Sequence, residues 1–338
     1  MTTRYFRWDD AGAPTLSGTV GSYIALMKAL LVGSVGGVAY GAGLGERLAA
    51  GWSTVWEDAG AYKIVLRNDN IVGSGCYMRI LDDGSGAGGA REALVQIYES
   101  MTDIDTGTNP ASSANSSAGL WVRKSDALSN AARAWVFLAD ARTFYGGIYV
   151  TSANPPVSGN SGWAGLNAMM PAGGDFEPAV MGDPGVFISA RPTANGSASS
   201  VATDLGIPAA NFAGTGTGFS ATRTAALVAT PTPLGIMQLG WNAAYYGFGG
   251  TGILAGLTAG DAHVHPAQVV GASAYRGRMR GLYVPLTSID GTVPVGAVLH
   301  PAGIASPGGL AVLSGTVSGS NNATVTTRML VDTGDWDA

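Results

Sequence analysis

One cysteine, three lysines and three histidines stand in a chain of 338 residues, and charged side chains make up only 12 % of it. Cys76 alone excludes an intrachain disulfide framework and is compatible with assembly in a reducing cytoplasm. The charged fraction is about half the usual ~25 %, and Gly, Ala, Ser and Thr take the place of the missing charges. Glycine, at 52 residues, stands at about twice its usual ~7 % share. A monomer so poor in charge is weakly protected against self-association, and a surface covered by neighbouring subunits would resolve this, because interface cores are depleted in charge. A codon bias toward Gly, Ala and Arg is the competing explanation, and 15 Arg against 3 Lys speaks for it. The net charge of −5 gives no electrostatic reason to expect a nucleic-acid partner. No signal peptide is expected, since Arg4, Arg7, Asp9 and Asp10 occupy the place of its apolar core. Long apolar runs are missing too. The uncharged stretch 29–45 has 17 residues, six of them Gly. That length only reaches the ~17 a spanning helix needs, and the glycines make a poor helix, so no membrane span is expected.

What is present begins with a helical pattern. Val20, Tyr23, Ile24, Met27, Leu30 and Leu31 follow i, i+3, i+4, i+7 spacing and predict about three turns with one buried face. Ser17 or Thr19 can cap the start, Gly33 suits a left-handed stop, and Lys28 complements the dipole in the last turn. The period then changes to two. Segments 52–57, 62–67, 76–81, 93–99, 120–124, 134–141 and 144–151 read as strands bounded by Gly, Asp or Asn. Residues 106–119 read as an exposed loop. Beyond 176, strand patterns recur at 185–190, 224–229, 236–241, 269–275, 281–285, 295–299, 310–317 and 324–331.

The fold class is therefore expected to be mainly β, with antiparallel sheets in a sandwich-like arrangement and one short N-terminal amphipathic helix. The expected organisation is a helix plus β-rich domain over 1–152, a Pro/Gly-rich linker or long loop over 153–175, and a second β-rich domain over 176–338. The helix is expected to pack on the first sheet, leaving residues 5–14 as an arm free to dock elsewhere.

Several segments carry a resemblance. Tyr5-Phe-Arg-Trp-Asp-Asp-Ala-Gly-Ala-Pro14 followed by Leu16-Ser-Gly-Thr-Val-Gly21 is similar to the opening of a family of tailed-bacteriophage virion structural proteins, which begins on the same WDD–GAP–LSG string. Ala50-Gly-Trp52, segments 62–68 and 98–105, Ala90-Arg91-Glu92, segment 121–124 and Tyr275-Arg-Gly-Arg-Met-Arg-Gly-Leu-Tyr283 also resemble it. The resemblance implies a non-enzymatic, homo-oligomeric part of a phage particle, on the tail, neck or baseplate side. A capsid decoration protein or a tail-tip module binding a receptor or glycan is the alternative, with a polysaccharide hydrolase behind both. Implied partners are copies of itself, other virion proteins and a host surface glycan or receptor. The implied location is the virion, assembled in the host cytoplasm. No catalytic or cofactor-binding residue is carried over.

Candidate chemistry is sparse. Asp261, His263 and His265 fall on one face if extended, and imidazoles with a carboxylate suit a transition metal. A His-x-His pair from each of three chains could also ring a metal, resembling sites in some trimeric phage fibres, whereas the plainer reading is a polar loop ending at Pro266. Gly247-Phe-Gly249-Gly-Thr-Gly252 matches a dinucleotide fingerprint in letters but lacks its flanking strand, helix and acidic residue. Asp103, Asp105 and Asn109 read as Asx-turn chemistry sooner than a calcium loop. The pairs Asp9-Asp10 and Asp82-Asp83 would point to opposite faces of a strand, so neither converges on a substrate. Arg276, Arg278 and Arg280 alternate and would form one guanidinium-bearing face able to clasp a neighbour's carboxylates. Tyr5, Phe6, Trp8, Asp9, Asp10, Arg276, Arg278 and Arg280 are thus the candidate assembly interface.

Overall fold

Side chains that leave both faces of one sheet and enter two separate cores define the architecture. The computed structural model describes residues 2–34, 36–111, 119–151, 153, 168–191, 218–237, 264–271, 274–285, 296–300, 309–318 and 324–336. The central sheet runs, in spatial order, Arg4–Arg7, Ala134–Ala139, Thr143–Tyr149, Ala172–Asp175, Val186–Ser189, Phe219–Ala221 and Thr232–Pro233. Ala168–Met169 pairs beside it with Thr143–Tyr149, and every pairing is antiparallel. Trp135, Phe137, Phe144, Ile148, Val186 and Ile188 point into one core, and Val136, Leu138, Tyr145 and Phe187 into the other. All residues of Ala134–Ala139 and Thr143–Tyr149 are buried. This explains why Ala-Trp-Val-Phe-Leu-Ala reads as an unbroken apolar run: a strand covered on both faces has no polar side to show.

The first core is closed by a meander sheet of Ser53–Asp58, Lys63–Arg67, Tyr77–Leu81, Glu92–Met101 and Gly107–Ala111, with Leu120–Arg123 also pairing to Glu92–Met101. Ile64, Leu66, Met78, Ile80, Val95 and Ile97 face inward, two residues apart along each strand. The second core is closed by a C-terminal sheet in the order Gly235–Met237, Val264–Gly271, Ala274–Pro285, Thr324–Asp332, Leu310–Ser318 and Val298–Leu299. Ala267, Val269, Met279, Leu282, Leu313 and Met329 supply its inner face. Each fully buried Leu, Ile or Phe contributes roughly 1.5–3 kcal/mol by leaving water, before the entropy of ordering the chain is counted. The protein is thus mainly β, with antiparallel sheets stacked face to face.

The helix is Ser22–Met27, continued by a wider π turn over Lys28–Val32 and ended at Gly33. Tyr23, Ile24, Met27, Leu30 and Leu31 are buried in the first core, as the spacing predicts; Leu26 joins them unpredicted, and Val20 is only half-buried. The cap differs from expectation. Gly21, in the left-handed region at φ 74°, precedes the helix without a side-chain cap, and the Tyr23 N–H donates instead to Asp82 Oδ2 at 2.9 Å.

Four expectations are corrected. Residues 5–14 are not a free arm: Arg4–Arg7 is an edge strand paired with Ala134–Ala139, and Phe6 is fully buried. The division at 153–175 does not separate two units, because the central sheet takes strands from both sides of it and 168–169 and 172–175 are themselves strands of that sheet. Within 106–119, Gly107–Ala111 is a strand, paired with Glu92–Met101. Residues 224–229 form no strand, whereas a small hairpin of Val38–Tyr40 with Arg47–Leu48 occupies the Gly-rich passage after the helix.

Candidate interaction surfaces

The N-terminal segment is held by a web of short contacts. The Tyr5 hydroxyl donates to the Gly296 carbonyl, and the Trp8 N–H to the Trp135 carbonyl at 3.1 Å. Asp10 accepts from the Arg7 N–H at 3.1 Å, the Tyr40 hydroxyl at 2.6 Å and Arg47 Nη2 at 2.9 Å. Burial works against its ionisation, but the hydrogen bonds from Arg47, Tyr40 and Arg7 outweigh that and hold its carboxyl below the usual 3.8. Asp9 is exposed and takes a two-pronged hydrogen bond from Arg7, whose guanidinium also lies 5.1 Å from the centre of the Trp8 ring. Of the expected interface residues here, Asp9 is exposed, Tyr5, Trp8 and Asp10 are partly covered, and Phe6 is core.

The three arginines do not share a face. Arg276 and Arg280 are each 1 % exposed, and only Arg278 points outward, to Glu177. Arg276 Nη2 donates to Asp183 Oδ2 at 2.6 Å and Arg280 Nη1 to Asp140 Oδ2 at 2.7 Å. The alternation fails because the pairing register with Val264–Gly271 shifts twice, with Gly277 at φ 144° and Gly281 at φ 62°. Each irregularity re-aims the side chains that follow it. A Cβ on Gly277 would lie 1.9 Å from the Glu177 carbonyl oxygen, so only glycine allows Glu177–Pro178 to pair there.

His265 lies in the strand Val264–Gly271, with Nδ1 2.6 Å from the Pro266 carbonyl oxygen. Asp261 and His263, like the Gly247–Gly252 motif, lie outside the described residues. Among the described residues no three His, Cys, Asp or Glu side chains gather as a metal site, and no helix is long and apolar enough to cross a membrane. Asp103 does what an Asx turn requires, accepting from the N–H groups of Asp105 and Thr106 at 2.8 Å each.

Two features were not anticipated from the residues. The first is how many charges lie inside. Glu92 Oε1 accepts from Arg123 at 3.1 Å and Arg191 at 3.0 Å, joining the meander edge to the end of a central strand. Lys124 contacts Asp82, and both side chains have no exposed surface. Desolvation raises the Asp82 carboxyl to about 6 despite the opposing pull of Lys124, and desolvation lowers the Lys124 ammonium. Nothing in a linear sequence marks a charge as buried, least of all when its partner is tens of positions away.

The second feature is the outer face of the meander sheet. Trp56 stacks on Tyr77 with ring centres 6.1 Å apart and planes at 23°, and the Arg67 guanidinium lies 4.9 Å from the Tyr77 ring centre. Val65, Tyr98 and Met101 form the floor of this cluster. Beside it Asp105 accepts from Lys63 at 2.7 Å and from Arg79 at 2.6 Å, while Arg79 also donates to Gln96 at 2.6 Å. The signal was the alternation of Tyr77, Arg79 and Leu81 against Met78 and Ile80, which sends the first three outward. A face mixing aromatic rings with oriented donors and acceptors can pack on another protein or stack against a sugar ring.

Searches for a related protein, by family model, among curated proteins and among solved structures, return no match for this chain.

Proposed function

We propose that the chain is a non-enzymatic structural component of a tailed-phage virion, homo-oligomeric and associated with the tail, neck or baseplate. The resemblance of its opening string supplies the virion context. The observation that carries the assembly reading is the inward placement of charge: Asp82, Glu92, Arg123, Lys124, Asp140, Asp183, Arg191, Arg276 and Arg280 are all buried in a protein that is only 12 % charged. The exterior therefore carries fewer charges than it would if all of them lay outside, as befits surface that neighbouring subunits cover. Copies of the chain and other virion proteins are the partners this favours. Labelled particles imaged by electron microscopy should show the protein at a repeated position on the tail, neck or baseplate, and the purified protein should sediment as an oligomer. A well-behaved monomer at high concentration, absent from particles, would end this reading.

The outer meander face favours a second reading, a tail-tip module that binds a host glycan or receptor through Trp56 and Tyr77. Adsorption of the purified protein to host cells, lost in Trp56→Ala without loss of folding, would support it. A capsid decoration role is the remaining alternative, and the same particle images would reveal it.

A further inference from the structure

Lys124 and Asp82 meet in a site built for more than attraction. Asp82 follows the strand Tyr77–Leu81 and Lys124 follows the strand Leu120–Arg123, so two elements of one sheet deliver an amine and a carboxyl to the same point. Lys124 Nζ contacts Asp82 Oδ1 and also donates to the Thr19 carbonyl at 2.5 Å, which fixes the direction of the amine. The other carboxyl oxygen, Oδ2, receives the Tyr23 N–H at 2.9 Å, and the N–H of Ile24 also serves this carboxyl at the start of the helix. Both backbones are anchored: Asp82 N–H to the Tyr62 carbonyl and Lys124 N–H to the Arg91 carbonyl, each at 2.9 Å. Both side chains are 0 % exposed, and Tyr23 beside them is fully buried as well.

We propose that Lys124 and Asp82 condense into an intramolecular amide, a covalent crosslink between the two strands. Three requirements are met. Lys124 Nζ is held against Asp82 Oδ1, one bond away from the Cγ it would attack, which removes the entropy of encounter. Backbone N–H groups at a helix start are aimed at the oxygen that gains negative charge when the amine adds. Burial disfavours both ionic forms, which moves the pair toward the neutral amine and neutral acid that react.

The step balances without a co-reactant. A proton passes from the Lys124 ammonium to Asp82, leaving a free amine and a carboxylic acid. The Nζ lone pair adds to Cγ, with Oδ2 held by the Tyr23 N–H. The nitrogen then loses a proton as the Cγ–Oδ1 bond breaks, and Oδ1 departs as water. One C–N bond replaces one C–O bond, nothing is oxidised or reduced, and the dry site disfavours the reverse hydrolysis. The crosslink closes the chain between residues 82 and 124. A protein with one buried cysteine would thereby carry a staple that no reductant opens.

The test is the intact mass of the full chain, denatured after purification. It should be lighter by one water than the sequence requires, and trypsin should release peptide 80–91 joined through Lys124 to peptide 124–133. Asp83-Gly84 lies in the first of these peptides and can lose water alone by forming a cyclic imide, so the branched peptide is the decisive species. Lys124→Arg keeps the positive charge and should restore the full mass. Wild-type protein that keeps its full mass after long incubation in the folded state overturns the proposal, whether or not the variant folds. So does a lost water that maps to a single unbranched peptide.

Discussion

Arg280 Nη1 sits 2.7 Å from Asp140 Oδ2, although 140 positions separate the two residues and neither side chain has any exposed surface. Asp140 does several things at once. Its Oδ1 accepts from the N–H groups of Arg142 and Thr143 at 2.8 Å each, forming the turn between two central strands, and its carbonyl receives the Trp52 indole at 3.0 Å. All three layers are therefore tied at one residue. Arg280→Met leaves that carboxylate buried beside an apolar chain, and breaking such a pair costs about 3–5 kcal/mol. Urea unfolding should show a loss of that order, with Arg278→Met, on an exposed pair, changing stability by less than ~1 kcal/mol.

The N-terminal strand sets a second expectation. Removing residues 1–14 strips the edge from the central sheet, uncovers the partners of Phe6 and leaves the Trp135 carbonyl without the Trp8 N–H. The truncated chain should be insoluble or unfolded, not merely slow to assemble. Phe6→Ala is the gentler version, with an expected loss of about 3–5 kcal/mol from the cavity. Near-native stability of either variant would return the segment to the role of a detachable arm.

Asp10 predicts a pH dependence. Its carboxyl is held below 3.8 in the folded state, so the folded chain binds fewer protons there than the unfolded chain in acid. The stability it supplies is complete above the ordinary carboxylate range and is lost as pH falls through the folded value. Wild type should exceed Asp10→Asn at neutral pH, and the gap should close progressively below about pH 4. A constant gap across that range would show that ionisation of Asp10 is not what the site uses.

Cys76 makes the fourth prediction. It is fully buried, and that burial, followed by the charge of Asp175, pushes its thiol well above the usual value. Native protein should leave an aromatic disulfide reagent unreacted until it unfolds, with the labelling rate tracking the unfolding rate. Rapid labelling under native conditions would require an opening of the first core that its packing does not suggest.

Much of the fold was legible. The meander strands announce themselves by alternation because one face is wet, and the helix by its spacing because one stripe is buried. The order of strands was not legible, since residues 4–7 lie beside residues 134–139 only through tertiary pairing. The fate of the arginines was hidden for a local reason. Period two holds only in a regular strand, and two positive-φ glycines between Arg276 and Leu282 break it. The residues of the proposed crosslink were the least legible. Lys124 and Asp82 are ordinary surface-type residues when read one at a time, and only the fold brings them together.

The central layer has a consequence for how the molecule opens. Strands Ala134–Ala139 and Thr143–Tyr149 are roofed on both sides, so their amide protons can meet solvent only when an outer sheet lifts away or the whole fold is lost. Deuterium should enter the rim of the meander, at residues 53–58 and 107–111, long before it enters these two strands. The slowest amides would then report the global unfolding free energy directly, a built-in gauge at the middle of the protein.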